Sequence, residues 1–137
     1  MNVLVDSSVW SHAIRRSAPR GTPEEGELVE LIREGRVVII GPIRQELLSG
    51  IKTPEQYRMV RDRLRAFPDL ELSHEDFEEA ASCFNKCRAR GVQGSNTDFL
   101  ICAAATRRGF AVFSTDADFG HYARVLHIRL HRARRET

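Results

Sequence analysis

The chain has 137 residues, 42% of them hydrophobic, and a formal net charge of +2. That is enough for one domain with a buried core and too little for two, so a single domain over residues 1–137 is expected. No run approaches the ~18 apolar residues of a membrane span, an acid at position 6 comes too early for a secretory signal, and the charge is too low for a nucleic-acid coat.

In chain order, Val3 to Val5 reads as a short buried strand, and Ser7-Ser8-Val9-Trp10 starts a helix that ends before Pro19. Thr22-Pro23-Glu24-Glu25 combines an N-cap, a first-turn proline and a capping-box acid. Leu28, Leu31 and Ile32 continue that helix as an apolar stripe up to Gly35. Arg36 to Ile40 is the second strand, Gly41-Pro42 opens a short helix, and Thr53-Pro54-Glu55-Gln56 opens another to about Ala66. Leu70 to Leu72 is a candidate short strand. Ser73 caps a helix with Phe77, Ala80, Ala81 and Phe84 on its inner side. After a loop from Gly91 to Gly94, Asn96 or Thr97 caps an apolar helix that Gly109 stops. Ala111 to Ser114 and Val125 to Leu130 are the last strands. Strands alternating with helices predict parallel βαβ units, hence a three-layer α/β/α domain around a mainly parallel sheet.

Four acids stand where strands give way to helices: Asp6, Glu46, Asp98 and Asp116. In an open parallel sheet the ligand crevice lies beyond the carboxyl ends of the strands, and Asp6 and Asp116 each follow a strand directly. Asp98 lies in a first helical turn, where an acid also gains from the dipole and can face the same edge; a plain helix-start acid is the competing reading. Glu46 precedes Leu47-Leu48 on a short amphipathic helix, where an exposed surface role is the competing reading. Gathered carboxylates raise one another's pKa, and a hard divalent cation relieves the conflict; Mg²⁺ or Mn²⁺ suits an all-oxygen donor set. Metal-assisted phosphodiester chemistry follows.

Of 21 basic residues only Lys52 and Lys86 are lysine. Arginine forks bind phosphate oxygens bidentately, although ordinary solvated surface explains them equally well. Arg124, Arg129, Arg132, Arg134 and Arg135, with Arg15, Arg16 and Arg20, are candidates for a basic rim around the acids. Cys83, Cys87 and Cys102 fall in helical patterns and are expected as reduced, buried thiols; the i, i+4 pair lacks the second motif a zinc site needs. The five histidines are scattered, and only His12 and His121 lie near the acids in sequence.

The stretches Val3-Leu4-Val5-Asp6-Ser7-Ser8-Val9, Gln45-Glu46-Leu47-Leu48-Ser49-Gly50, Asn96-Thr97-Asp98-Phe99-Leu100-Ile101 and Ser114-Thr115-Asp116-Ala117-Asp118-Phe119 resemble, in order and spacing, the PIN-domain ribonucleases, and most closely the VapC-type toxins of prokaryotic toxin-antitoxin pairs. The resemblance spans nearly the whole chain. It implies a Mg²⁺-dependent endoribonuclease that cleaves RNA with metal-activated water, acts as a homodimer and is silenced by a small antitoxin protein; the absence of a membrane run and of a secretory signal makes the cytoplasm its expected place. It places Asp6, Glu46, Asp98 and Asp116 on the family's acidic metal-binding quartet, with Asp118 as a further acid that contacts metal or caps the following turn. Ser7 stands where the family often has threonine, which keeps the hydroxyl. Asn96 and Thr115 are candidates for orienting the carboxylates, with capping and turn formation as the alternative. Base specificity would rest on the loops at Gly91 to Ser95 and Arg15 to Gly21.

Two other strand-terminal aspartate chemistries fit less well. A haloacid-dehalogenase-like phosphatase wants a second aspartate two places after the first, where Ser8 stands, and a response-regulator receiver wants a lysine after a late strand, where none follows Lys86. An RNA-processing nuclease without a toxin role and a non-catalytic RNA-binding module on the same fold remain as alternatives. The second gains nothing from a concentrated negative pocket.

Overall fold

A computed structural model describes residues 1–14 and 21–134. The elements run β1 (Val3–Val5), α1 (Ser7–Ile14), α2 (Pro23–Arg33), β2 (Val37–Val38), α3 (Gly41–Leu48), α4 (Pro54–Leu64), α5 (His74–Ala89), α6 (Asn96–Arg108), β3 (Ala111–Phe113) and α7 (Asp118–Val125). The sheet is parallel, in the order β2-β1-β3, with Val3 opposite Val37 on one side and Ala111 on the other. The expected α/β architecture with helices around a parallel sheet is what the chain adopts.

This topology sets where a site can form. The connection from β1 to β2 moves one way across the sheet, and the connection from β2 to β3 moves back past β1. α2 packs against α1 and β2, α1 also meets α3, and α5 pairs with α6, which lies against β1 and β3. The reversal leaves a crevice beyond the carboxyl ends of β1 and β3. Those ends are tied together directly, since the Asp6 N–H donates to the Phe113 carbonyl at 2.9 Å.

Burial explains the elements. β1 and β3 are fully buried apolar triplets, as expected of strands covered on both faces. α6 buries seven consecutive residues from Phe99 to Ala105, with small alanines letting α5 and the sheet approach closely. Thr22 and Thr53 cap α2 and α4 as predicted, accepting from the Glu25 and Gln56 N–H groups at 3.2 Å each. Gly109 ends α6 in the left-handed conformation, φ 71°.

Several expectations need correction. The second strand is two residues long rather than five, because Ile39 leaves it for an isolated parallel bridge to Asp69. Leu70 to Leu72 therefore ties to the sheet edge through the Leu70 N–H, which donates to the Ile39 carbonyl at 2.8 Å, and forms no strand. The carboxyl-terminal segment likewise makes only a bridge, Val112 to Leu130, because the preceding residues coil into α7, which reaches Val125. Ser95, one residue earlier than expected, caps α6. On α5 the inner stripe is Asp76, Ala80, Cys83 and Cys87, whereas Phe77 is 54% exposed and Ala81 also faces out. The three cysteines are free and buried, and burial holds the Cys83 thiol up at about 11. No helix among the described residues is long and apolar enough to cross a membrane.

Candidate active site

The carboxyl end of β1 delivers Asp6, the turn after β3 delivers Asp116, and the first turn of α7 delivers Asp118. The first turn of α6 brings Asp98 to the same edge, and α3 brings Glu46. Asp98, Asp116 and Asp118 each offer a carboxylate oxygen, and these atoms lie within 4.8 Å of one another. Asp6 and Glu46 stand outside that tight group. Among the described residues no arginine, lysine or histidine forms an ion pair with any of the five acids.

Asp6 is nearly buried, 6% exposed, and is held by hydroxyls. Ser8 Oγ donates to Asp6 Oδ2 at 2.9 Å, and Ser114 Oγ donates to the same oxygen at 2.8 Å. These hydroxyls in turn accept backbone N–H groups, Ser8 from Thr115 at 3.1 Å and Ser114 from Asp116 at 3.0 Å. The result is a clasp in which the end of β1 and the turn after β3 share one carboxylate. Glu46 joins through Ser7, whose Oγ donates to Glu46 Oε2 at 2.8 Å and lies 3.5 Å from Asp6 Oδ1. Asp116 orients its own neighbour by accepting the Asp118 N–H on Oδ1 at 2.9 Å.

Asp98 is half-buried, and its carboxylate accepts the Tyr122 hydroxyl on Oδ2 at 2.6 Å. Burial pushes its pKa up, the Tyr122 hydrogen bond opposes this, and the charges of Asp6 and Asp116 push it further. Tyr122 is itself raised, by burial first and then by its bond to Asp98. Gathered oxygen donors, with Asp98 pushed upward by burial and by its neighbours, are what a hard divalent cation would relieve, so the residues present fit such an ion.

The orienting residues include Ser7, whose hydroxyl the sequence pointed to, but not Asn96 or Thr115. Ser7, Ser8, Ser114 and Tyr122 hold the acids, and no hydrogen bond from the Asn96 or Thr115 side chain reaches them among the described residues. Ser7, Ser8 and Ser114 had a visible signal, being hydroxyls beside the strand-end acids. Tyr122 had none, since α7 was not predicted. Asp118 proves to be both an α7 first-turn acid and a member of the tight cluster. Two members of the expected basic rim are committed elsewhere: Arg134 pairs with Glu27 and Glu34, and Arg129 Nη1 contacts Met1 Sδ at 3.5 Å. Arg15, Arg16, Arg20 and Arg135 lie outside the described residues.

An acidic crevice at the switch point of a small parallel sheet defines a class, and the comparisons identify it. The model of the PIN domain matches residues 3–125, and the chain belongs to that family. It is 29% identical to Ribonuclease VapC11 of Mycobacterium tuberculosis over 131 residues, covering 93% of this chain and 96% of that one. Its fold is shared with VapBC2 from Rickettsia felis, a structure bound to a DNA fragment from its promoter, at TM-score 0.78 and 17% identity, over 96% of this chain and 98% of the other. It is likewise shared with VapBC-5 of Mycobacterium tuberculosis, a member of the VapBC family of toxin-antitoxin systems, at TM-score 0.67 and 16% identity, over 96% and 99% of the two chains.

Proposed function

We propose that residues 1–137 form one nuclease domain, a Mg²⁺-dependent endoribonuclease that is the toxin of a toxin-antitoxin pair. The observation that carries the reading is the gathering of Asp98, Asp116 and Asp118 within 4.8 Å, uncompensated by any cation among the described residues, beside the hydroxyl-clasped Asp6. The near-complete overlap with a VapC ribonuclease supports RNA as the substrate.

In this reading Asp98, Asp116 and Asp118 hold the ion with Asp6, and Glu46 completes the acidic wall. A bound divalent ion would supply the activated water and neutralise charge developing on the phosphate. The chain's own part is orientation. Ser8 and Ser114 fix one oxygen of Asp6, Ser7 fixes one oxygen of Glu46, and Tyr122 fixes one oxygen of Asp98. No side-chain nucleophile is needed. Mn²⁺ would substitute, having the same preference for oxygen donors.

Partners follow from the same electrostatics. An acidic pocket attracts cationic groups, so a small antitoxin would silence the enzyme by inserting an arginine or lysine where metal sits, with an apolar segment packed along the first helices. A homodimer is the expected working form. Cleavage of total RNA by the purified protein, with and without Mg²⁺, tests the chemistry, and metal-independent cleavage or none would overturn it. Growth arrest on expression without the partner tests the toxin role. Harmless expression of a protein active in vitro would point instead to RNA processing.

A further inference from the structure

Tyr122 sits in α7 with no accessible surface, its ring packed between Phe99, at a centroid distance of 5.0 Å, and Phe119, at 5.2 Å. A buried phenol needs a partner for its O–H. Here the partner is Asp98 Oδ2 at 2.6 Å, on the neighbouring helix α6.

A second observation concerns the loop in front of α6. A Cβ on Gly94 would lie 2.4 Å from the Tyr122 hydroxyl oxygen and 2.7 and 2.8 Å from ring carbons, too close for any side chain. Gly94 does not have positive φ, so the backbone does not demand glycine; the ring does. The next residue, Ser95, accepts the Asp98 N–H on Oγ at 3.0 Å. Loop and helix thus hold Asp98 at two points, its amide and its carboxylate. The helix that supplies Tyr122 also begins with Asp118, a member of the acidic cluster.

We propose that Tyr122 is a positioning residue for the cation site. Its hydroxyl holds the Asp98 carboxylate in register with Asp116 and Asp118, and Gly94 leaves the space that admits the ring. One carboxylate oxygen is occupied by the phenol, and the orientation of the group is no longer free. A ligand fixed in this way loses less freedom when a cation binds, and outer hydrogen bonds of this kind typically change metal affinity by about 10- to 100-fold. The proposal rests on Asp98 being a metal ligand.

The test is Mn²⁺ binding to the full chain without RNA, by titration calorimetry and by the spin resonance of free Mn²⁺. Tyr122→Phe keeps the ring and removes only the donor. It should weaken Mn²⁺ binding by about tenfold, and raised Mn²⁺ should restore most of the RNA cleavage. A merely structural tyrosine would lower the melting temperature and leave the affinity of the folded protein unchanged. Gly94→Ala should weaken Mn²⁺ binding in the same direction; if it does not fold, Tyr122→Phe decides alone. Asp98→Asn is the control. Unchanged affinity in Tyr122→Phe with loss in Asp98→Asn overturns the positioning role and leaves the ligand reading intact. Wild-type affinity in Asp98→Asn, or no Mn²⁺ binding by the unaltered protein, overturns both.

Discussion

Two groups of carboxylates in this molecule meet opposite fates. Asp76, at the start of α5, is completely buried and saturated: Arg107 Nη1 donates to its Oδ1 at 2.6 Å, Arg108 donates to both its oxygens at 2.7 and 2.8 Å, and the Ser73 N–H adds a bond of 2.9 Å. Chiefly Arg108, with Ser73 and Arg107, holds its pKa far below the usual carboxylate range against the cost of burial. Glu27 is similar on a smaller scale, with His131 and Arg134 as partners. Among the described residues the acids at the carboxyl edge of the sheet receive only hydroxyls and amides, and Asp98 is pushed upward. An acid with its cations in place fastens helices; acids gathered without cations reserve that place for something else.

The largest expected effect breaks the second group. Asp98→Asn or Asp6→Asn should lower Mg²⁺-dependent RNA cleavage by more than ~100-fold while the circular dichroism spectrum stays native, because a neutral amide is a poor ligand for a hard cation. Cleavage at the wild-type rate by either purified variant would remove that residue from the site.

Breaking the first group should do the reverse. Asp76→Ala leaves two arginines and an N–H without their acceptor and should cost about 3 kcal/mol, a fall of roughly 10 °C in melting temperature. The shift produced by Mg²⁺ should be unchanged. A pH series sharpens this. Asp76 has a depressed pKa in the folded state, so its contribution is fully present above the unfolded value of about 3.9 and is lost as pH falls below it. The gap between wild type and variant should therefore be constant near neutrality and shrink in acid; a gap that widens in acid would contradict the assignment.

A smaller effect comes from the cation itself. Mg²⁺ or Mn²⁺ at about ten times its dissociation constant should stabilise the fold by about 1.4 kcal/mol, a few degrees in melting temperature. Asp116→Asn should stabilise the metal-free protein slightly, by relieving repulsion on Asp98, and should reduce the metal response. Thermal melts in chelator and in added metal decide it, and an undiminished response in the variant would exclude Asp116 as a ligand.

The difference between the two groups also marks what could be read from the chain. Asp6 and Asp116 were legible because each comes within three residues of the end of a buried apolar triplet, and an acid at a strand's carboxyl end has little choice of place. Thr22, Thr53 and Gly109 were legible because caps are local. Asp76 had no local signal to mark it, since its partners lie 31 and 32 residues away in sequence. Tyr122 was hidden for the same reason: α7 is short, and its Asp98 contact spans 24 residues. The shortened second strand and the carboxyl-terminal bridge show the limit from the other side, because Arg36 to Ile40 and Val125 to Leu130 have strand composition while pairing, a tertiary matter, decides how much of each joins the sheet.

The smallest expected effect lies at the seam between the tight cluster and Glu46. Glu46 is exposed, and among the described residues the one hydrogen bond that ties it to the site is from the Ser7 hydroxyl at 2.8 Å; the same oxygen is 3.5 Å from Asp6, too far for a good bond. A hydroxyl has a single proton, so Ser7 serves Glu46 first. Ser7→Ala should leave the clasp of Asp6 by Ser8 and Ser114 intact and free only Glu46, lowering kcat several-fold, within about tenfold, and shifting the melting temperature very little. Ser7→Thr keeps the donor and should retain near-wild-type cleavage. Equal losses in the two variants would show that the position matters for packing at the start of α1 rather than for its hydroxyl. Full activity in Ser7→Ala would mean that Glu46 needs no orienting and that the working acids are the four past the ends of β1 and β3 and at the starts of α6 and α7.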